Sequence, residues 1–196
     1  MNMPTKPRHG HPAFSLIEMM AVITIIVILA GLVVGGMGFV SERQAKERAK
    51  IQMGLIAKAL EEYKADFGTY PATSNSPKGE DNSKILFKAL YWDSNNDGQG
   101  APVGNAPGDP NQKVYLPQLD PANNNQGWTS GTASLNTKIL DPWGKEYRYR
   151  SALDASGKPN SNTINPDFDL WSCGKDGKTN PATPTDKANR DDIKCP

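Results

Sequence analysis

The stretch FSLIEMMAVITIIVILAGLVVGGMGFV, residues 14–40, decides the fold of this chain. It contains a single charged residue, Glu18. At about 1.5 Å per residue, the uncharged residues after Glu18 form a helix of roughly 30 Å, enough to cross the hydrocarbon core of a bilayer. We therefore predict a transmembrane helix over residues 14–40.

Glu18 is unusual in such a helix, because a carboxylate inside the membrane costs about 2.5–3.5 kcal/mol on insertion scales. An intramembrane acid is for that reason a candidate functional residue. The alternative is that Glu18 lies at the membrane edge and caps the first helical turn, where the helix dipole favours an anion.

Residues 1–13 form a short leader that contains Lys6 and Arg8 and no acid. We treat this segment as a processing leader. A secretory signal peptide is a poorer interpretation, because the apolar run is too long and no A-x-A-like cleavage site follows it. Basic residues ahead of the helix place the N-terminus in the cytoplasm and the bulk of the chain outside it.

Residues 41–70 continue the helix in amphipathic form as far as about residue 67. One apolar stripe recurs at the period of a helix, at Met53, Ile56, Leu60, Tyr63 and Phe67. Gly68 is a stop signal and Pro71 confirms the exit from the helix. The pattern predicts one helix from about residue 14 to about residue 67, with its second half packed on a sheet.

Residues 71–196 are predicted to form a periplasmic globular domain. Alternating apolar and polar residues over Lys145–Arg150 and Asp167–Cys173 predict an antiparallel hairpin. Ser83–Tyr91 has the spacing of a short helix, and residues 92–137 form a long, turn-rich loop. The expected class is α+β, with a long N-terminal helix packed on a small antiparallel sheet.

Composition argues against an enzyme. The only two histidines, His9 and His11, lie in the leader, so a processed chain has none. This excludes Ser-His-Asp and Cys-His catalysis and His-ligated zinc. No P-loop, G-x-G-x-x-G or nucleophile elbow is present. The net charge of +1 gives no argument for a nucleic-acid partner.

The hexapeptide Ala13-Phe14-Ser15-Leu16-Ile17-Glu18 resembles the processing site of type IV prepilins, with Ala13 where the family usually has glycine. Two further strings, residues 61–72 (EEYKADFGTYPA) and 141–149 (DPWGKEYRY), resemble the major pseudopilin of type II secretion. The resemblance implies that a prepilin peptidase cuts after Ala13 and methylates the new amine of Phe14. It also implies that Glu18 pairs with the amine of a neighbouring subunit during assembly.

The same resemblance implies a calcium ion in the C-terminal loop. In that family two aspartates and nearby carbonyls hold the ion, and the corresponding residues here are Asp176 and Asp192, with Asp191 adjacent and the backbone carbonyl of Cys173. Calcium suits such a loop because it accepts 6–8 oxygen ligands in flexible geometry. Asp93–Gly98 also matches the opening of an EF-hand loop, but position 12 is Gly104 and the bidentate glutamate is missing.

Cys173 and Cys195 are the only cysteines. Outside the cytoplasm an even pair in a loop-rich domain predicts a disulfide, which would contribute about 3 kcal/mol. Two free thiols are the alternative.

The resemblance implies a subunit of a type II secretion pseudopilus that is anchored in the inner membrane by a single pass and polymerises with itself into a periplasmic filament. Its expected partners are prepilin peptidase, minor pseudopilins, the inner-membrane assembly platform and the membrane itself. Two alternatives stay open: a type IV pilus subunit for adhesion, motility or DNA uptake, and a membrane-anchored, calcium-dependent binding module.

Overall fold

The structure is a computed structural model that describes residues 14–94, 112–124 and 126–195. It divides into two compact units, Met1–Glu42 and Arg43–Pro196. Helix α1, Leu16–Phe67, begins in the first unit and ends in the second. Most of the EF-hand-like segment Asp93–Gly98 and the residue at the predicted cleavage point, Ala13, lie outside the described residues.

The first unit is the apolar half of α1. Its residues Leu16–Val33 are long and apolar enough to cross a membrane, and none of this window is buried within the chain. Exposed leucine, isoleucine and valine side chains over this length have no protein contact to shield them from water. They account for the predicted membrane span.

The second half of α1 packs through the predicted stripe. Met53, Ile56 and Leu60 are fully buried, whereas Tyr63 is partly buried and Phe67 remains 46% exposed at the helix end. The helix ends at Gly68, which has a positive φ of 77° and donates its amide to the carbonyl of Lys64 at 2.7 Å. Glycine is favoured at this position because its left-handed conformation carries no Cβ clash.

The sheet is small and antiparallel, in the order β1-β2-β3. Its strands are β1 (Arg148–Ser151), β2 (Phe168–Ser172) and β3 (Ile193–Lys194), so the C-terminus supplies the third strand. Tyr149 pairs with Leu170 across β1 and β2. The α+β class predicted from the sequence is confirmed.

The helix and the sheet share one core. Tyr147, Tyr149 and Leu170 are buried with the stripe of α1. The Tyr147 hydroxyl donates to Gln52 Oε1 at 2.7 Å, and the Tyr149 hydroxyl donates to the carbonyl of Pro71 at 3.0 Å. Each buried phenol therefore has the hydrogen-bond partner that its burial requires.

Two segments complete the core. Helix α2 (Ser83–Phe87) continues into a π-helical turn, Lys88–Trp92, where a single short helix was expected. The amide of Tyr115 reaches the carbonyl of Leu90 at 2.9 Å and brings the apolar 113–119 segment onto this turn. Short 3-10 helices follow at Pro117–Leu119, Pro121–Asn123 and Lys187–Asn189.

Candidate functional site

The first candidate site is the start of α1. The backbone amide of Ser15 donates to Glu18 Oε2 at 2.8 Å, and the amide of Glu18 donates to the carbonyl of Ser15 at 3.1 Å. A glutamate three residues after the N-cap that accepts from the cap amide is half of a capping box. In a single chain Glu18 therefore caps the first turn of α1, as the alternative interpretation predicts. Phe14, just ahead of this cap, is 82% exposed.

The second candidate site is the C-terminal loop, where Gly174 forms a tight turn after β2. Gly174 has a φ of 63°, and a Cβ added there would lie 2.6 Å from Asp191 Oδ2. The same carboxylate oxygen accepts from the backbone amide of Asp176 at 3.0 Å. The fold thus brings two of the predicted calcium ligands, Asp176 and Asp191, to one turn.

Asp192, the second calcium ligand that the family resemblance implies, is bonded to Thr179. Its Oδ2 accepts from the Thr179 hydroxyl at 2.8 Å, and Thr179 Oγ1 accepts from Trp171 Nε1 at 3.2 Å. Its Oδ1 is buried without a hydrogen-bond partner among the described residues. Burial raises the pKa of Asp192 to about 6, and the charges of Asp191 and Asp176 add to this rise.

These contacts test how well the loop suits calcium. Within the described residues, no group of three or more His, Cys, Asp or Glu side chains is arranged to hold a metal ion. At this turn Asp191 Oδ2 accepts from the Asp176 amide, while Asp176 Oδ1 accepts from the Lys178 amide at 2.7 Å. Carboxylate oxygens are hard ligands of the kind that calcium takes. An ion there would need carbonyls and water for its remaining ligands. Asp192 is bonded to Thr179 through Oδ2 only, and its buried Oδ1 has no hydrogen-bond partner among the described residues, so Asp192 stays a candidate ligand.

The predicted disulfide is absent: Cys173 and Cys195 are both free thiols. The Cys195 amide donates to the carbonyl of Leu170, so Cys195 lies opposite Leu170, whereas the same register places Cys173 beside Asp192. An offset of three residues separates the cysteines by about 10 Å along the strands and places them on opposite faces of the sheet. A disulfide needs Cα atoms closer than about 7 Å.

Cys173 is almost fully buried, and burial raises the pKa of its thiol to about 11. Burial also raises the pKa of Cys195. At neutral pH both groups are therefore protonated thiols, which react slowly because the thiolate is the nucleophile.

This loop also contains a hydrogen-bonded network that was not predicted from the sequence, formed by Asn180, Asp186 and Asn189. Asp186 accepts from the amide of Ala188 at 3.0 Å and begins the 3-10 helix Lys187–Asn189. An aspartate ahead of a short helical turn is a recognisable N-cap signal. The pairing of Asn180 with Asn189 had no such signal, since it depends on how the loop folds back.

Comparisons with known proteins point to one family. The signature described as "Prokaryotic N-terminal methylation motif" matches residues 9–34, and that of "Type II secretion system (T2SS), protein G" matches residues 110–190. The chain is 30% identical over 172 residues to the type II secretion system core protein G of Pseudomonas aeruginosa, covering 87% of this chain and 88% of that protein. No solved structure matches the chain.

Proposed function

This chain belongs to the type II secretion system protein G family of pseudopilins, and on that premise we propose that it forms the shaft of a periplasmic pseudopilus whose growth drives protein export. Members of this family are structural subunits and not enzymes. The observation that carries the proposal is the Glu18 carboxylate in the first turn of a long apolar helix, which begins directly after Phe14 and Ser15.

Processing is the first step of the proposed function. Prepilin peptidase would cut between Ala13 and Phe14 and methylate the Phe14 amine, on the cytoplasmic side of the inner membrane. The methylation signature over residues 9–34 supports this step. The exposure of Phe14 immediately before α1 is consistent with an accessible bond.

Assembly is the second step. In a single chain the Glu18 carboxylate is held by the Ser15 amide, which satisfies the acid before it meets a partner. The amine of a neighbouring subunit would offer a charge-assisted hydrogen bond, which is about twice as strong as a neutral one. Two opposite charges inside an apolar bundle compensate each other and set the axial register of the subunits.

The remaining partners follow from this mechanism. Minor pseudopilins and an inner-membrane assembly platform would start the filament and add subunits at its base. Each subunit would cross the inner membrane once through residues 14–40, with its N-terminus in the cytoplasm and its globular unit in the periplasm. The exposed apolar window Leu16–Val33 supports the single membrane span.

Calcium is a separate part of the proposal. Asp176 and Asp192 would hold the ion, with Asp191 adjacent to them, together with the backbone carbonyl of Cys173 that precedes the turn. The buried Asp192 Oδ1, which has no hydrogen-bond partner among the described residues, supports this set, and the bond from the Asp176 amide to Asp191 Oδ2 brings Asp191 to the same turn. The ion would supply a positive charge between two carboxylates and cross-link the turn after β2 to the segment before β3.

The test of assembly is a pair of substitutions on α1. We expect Glu18→Ala to abolish sheared filaments and secretion, because the amine of the next subunit loses its acceptor. The matched control is Glu62→Ala, which removes an exposed glutamate from the same helix and should leave filament yield unchanged. Normal filament yield from Glu18→Ala, with the protein present at normal level in the membrane, would refute the proposed assembly step.

A further inference from the structure

A chain of hydrogen bonds joins the turn after β2 to a buried carboxylate outside the C-terminal loop. The backbone amide of Gly174 donates to Ser172 Oγ at 3.1 Å. The hydroxyl of Ser172 carries a single proton, which it donates to Asp141 Oδ2 at 2.5 Å. We call this sequence of amide, hydroxyl and carboxylate the Asp141 relay.

Asp141 is fixed within its own turn. Its Oδ1 accepts from the amide of Trp143 at 3.0 Å and from that of Lys145 at 2.9 Å. Its backbone amide donates to the carbonyl of Lys145 at 2.7 Å. Asp141 and Ser172 are both almost completely buried. Because each polar atom in this buried network has its partner, the relay is a rigid connection between two turns.

The relay ends on the peptide group that carries a proposed calcium ligand. The Gly174 amide and the Cys173 carbonyl belong to one peptide bond, which is trans. In a planar trans peptide the carbonyl oxygen points away from the side to which the amide hydrogen points. Since the amide hydrogen is directed to Ser172, the direction of the Cys173 carbonyl is fixed as well.

The carboxylate at the far end of the relay also increases the ligand strength of that carbonyl. Hydrogen bonds in a chain polarise one another, and each is electrostatically stronger where water is excluded. Negative charge on Asp141 polarises the Ser172 hydroxyl and, through it, the Gly174 amide, so electron density rises on the Cys173 oxygen. Carboxylates that do not touch a metal ion commonly orient and tune its ligands in this way.

We propose that Asp141 is a positioning residue for calcium and acts through Ser172 and the Cys173–Gly174 peptide. The inference rests on the calcium ion of the preceding proposal, to which it adds a residue that contributes no atom to the ion. Asp141 lies 31 residues before Ser172 and belongs to the turn that precedes β1. Calcium binding would therefore depend on a turn outside the C-terminal loop.

Isothermal calcium titration of the mature full-length chain in detergent tests the inference, and the melting temperature in excess EDTA measures the fold separately. We expect Asp141→Asn and Ser172→Ala each to raise the Kd for calcium by roughly tenfold or more. The double variant should lose no more affinity than either single variant, because both changes break the same chain of bonds.

Asp169→Asn is the matched control, since it changes another almost fully buried carboxylate in the same domain. Asp169 is bonded to Arg150 and has no part in the relay. We expect this variant to lower the melting temperature in EDTA and to leave the Kd for calcium unchanged. The comparison separates positioning of the calcium ligand from a general loss of stability.

Four results would overturn the inference. They are wild-type calcium affinity in either single variant, additive losses in the double variant, an equal loss of affinity in Asp169→Asn, and no calcium binding by the wild-type chain. Only the last of these also refutes the calcium site. All four leave the assembly proposal standing, because filament yield depends on Glu18 and is measured separately.

Discussion

Arg150 Nη2 donates to Asp169 Oδ2 at 2.8 Å across β1 and β2, and each side chain is less than a tenth exposed. The guanidinium also donates to the carbonyl of Pro77 and lies 4.8 Å from the Trp171 ring. Asp169 accepts in addition from the amides of Ile164 and Asn165. One ion pair therefore connects two strands and two loops on the face of the sheet opposite α1.

Breaking this pair should be strongly destabilising. Asp169→Ala leaves a buried guanidinium without its counter-charge, and we expect a loss of about 3–5 kcal/mol in the free energy of unfolding. The measurement is denaturant or thermal unfolding of the full-length chain in detergent. Lys50→Ala is the matched control, since the exposed Glu47–Lys50 pair should be worth about 1 kcal/mol or less. Equal losses from the two substitutions would contradict this assignment.

The second prediction is that Cys173 and Cys195 are free thiols and form no disulfide. We expect two thiols per chain in protein purified without reductant, counted with a thiol reagent after denaturation. In the native state Cys173 should react slowly up to about pH 9, because burial hides the sulfur and raises its pKa to about 11. Cys195→Ser should lower the count from two to one. A count of zero in the wild-type chain would show that the disulfide forms and that the register of β3 differs.

The third prediction concerns the pH dependence of the loop. The pKa of Asp192 is raised to about 6 by burial, so the fold favours the protonated carboxyl. Its contribution to stability is therefore greatest below the pKa of the unfolded chain, about 3.9, and is lost as the pH rises through about 6. We expect Asp192→Asn to raise the melting temperature at pH 8 and to have little effect at pH 4, measured in EDTA.

Asp186 supplies a control of opposite sign in the same loop. Its pKa is lowered by the Ala188 amide and the Asn180 side chain, so its contribution is present above the unfolded pKa and is lost as the pH falls. Asp186→Asn should therefore lower the melting temperature at pH 8 and have a smaller effect at pH 4. If Asp192→Asn followed this same pattern, the carboxylate of Asp192 would be stabilised in its charged form, contrary to its burial.

The long helix and the sheet could be predicted because their signals are local. The stripe through Met53, Ile56 and Leu60 has the period of a helix, and these side chains are the buried ones. Tyr147 and Tyr149 alternate with polar residues, and both are buried on one face of the sheet. A periodic pattern records which face of an element is apolar, and burial of that face follows directly.

The disulfide and the contacts of Asp191 and Asp192 could not be predicted so securely, because each depends on contacts between distant segments. The presence of two cysteines suggests a disulfide. Only the register of β3 on β2 shows that Cys173 and Cys195 lie too far apart along the strands to form it. Asp191 and Asp192 are neighbours in a bend that the Asp192 amide closes by donating to the carbonyl of Asn189. Asp191 accepts from the Asp176 amide and Asp192 from Thr179, contacts that depend on how the loop folds back.

The turn that brings Asp191 to Asp176 gives the last prediction. Gly174 has a φ of 63°, and a Cβ there would lie 2.4 Å from the Asp191 carbonyl oxygen. Gly174→Ala must therefore both strain the backbone and displace Asp191.

Gly127 is a matched control, since its φ is 68° and a Cβ there would meet nothing within 4 Å. We expect Gly127→Ala to cost about 1–2 kcal/mol, from backbone strain alone. Gly174→Ala should cost clearly more in thermal unfolding and should abolish any calcium-induced rise in melting temperature. Equal costs at the two glycines would mean that Asp191 does not pack against this turn, and its place beside the proposed calcium ligands would then lose its structural basis.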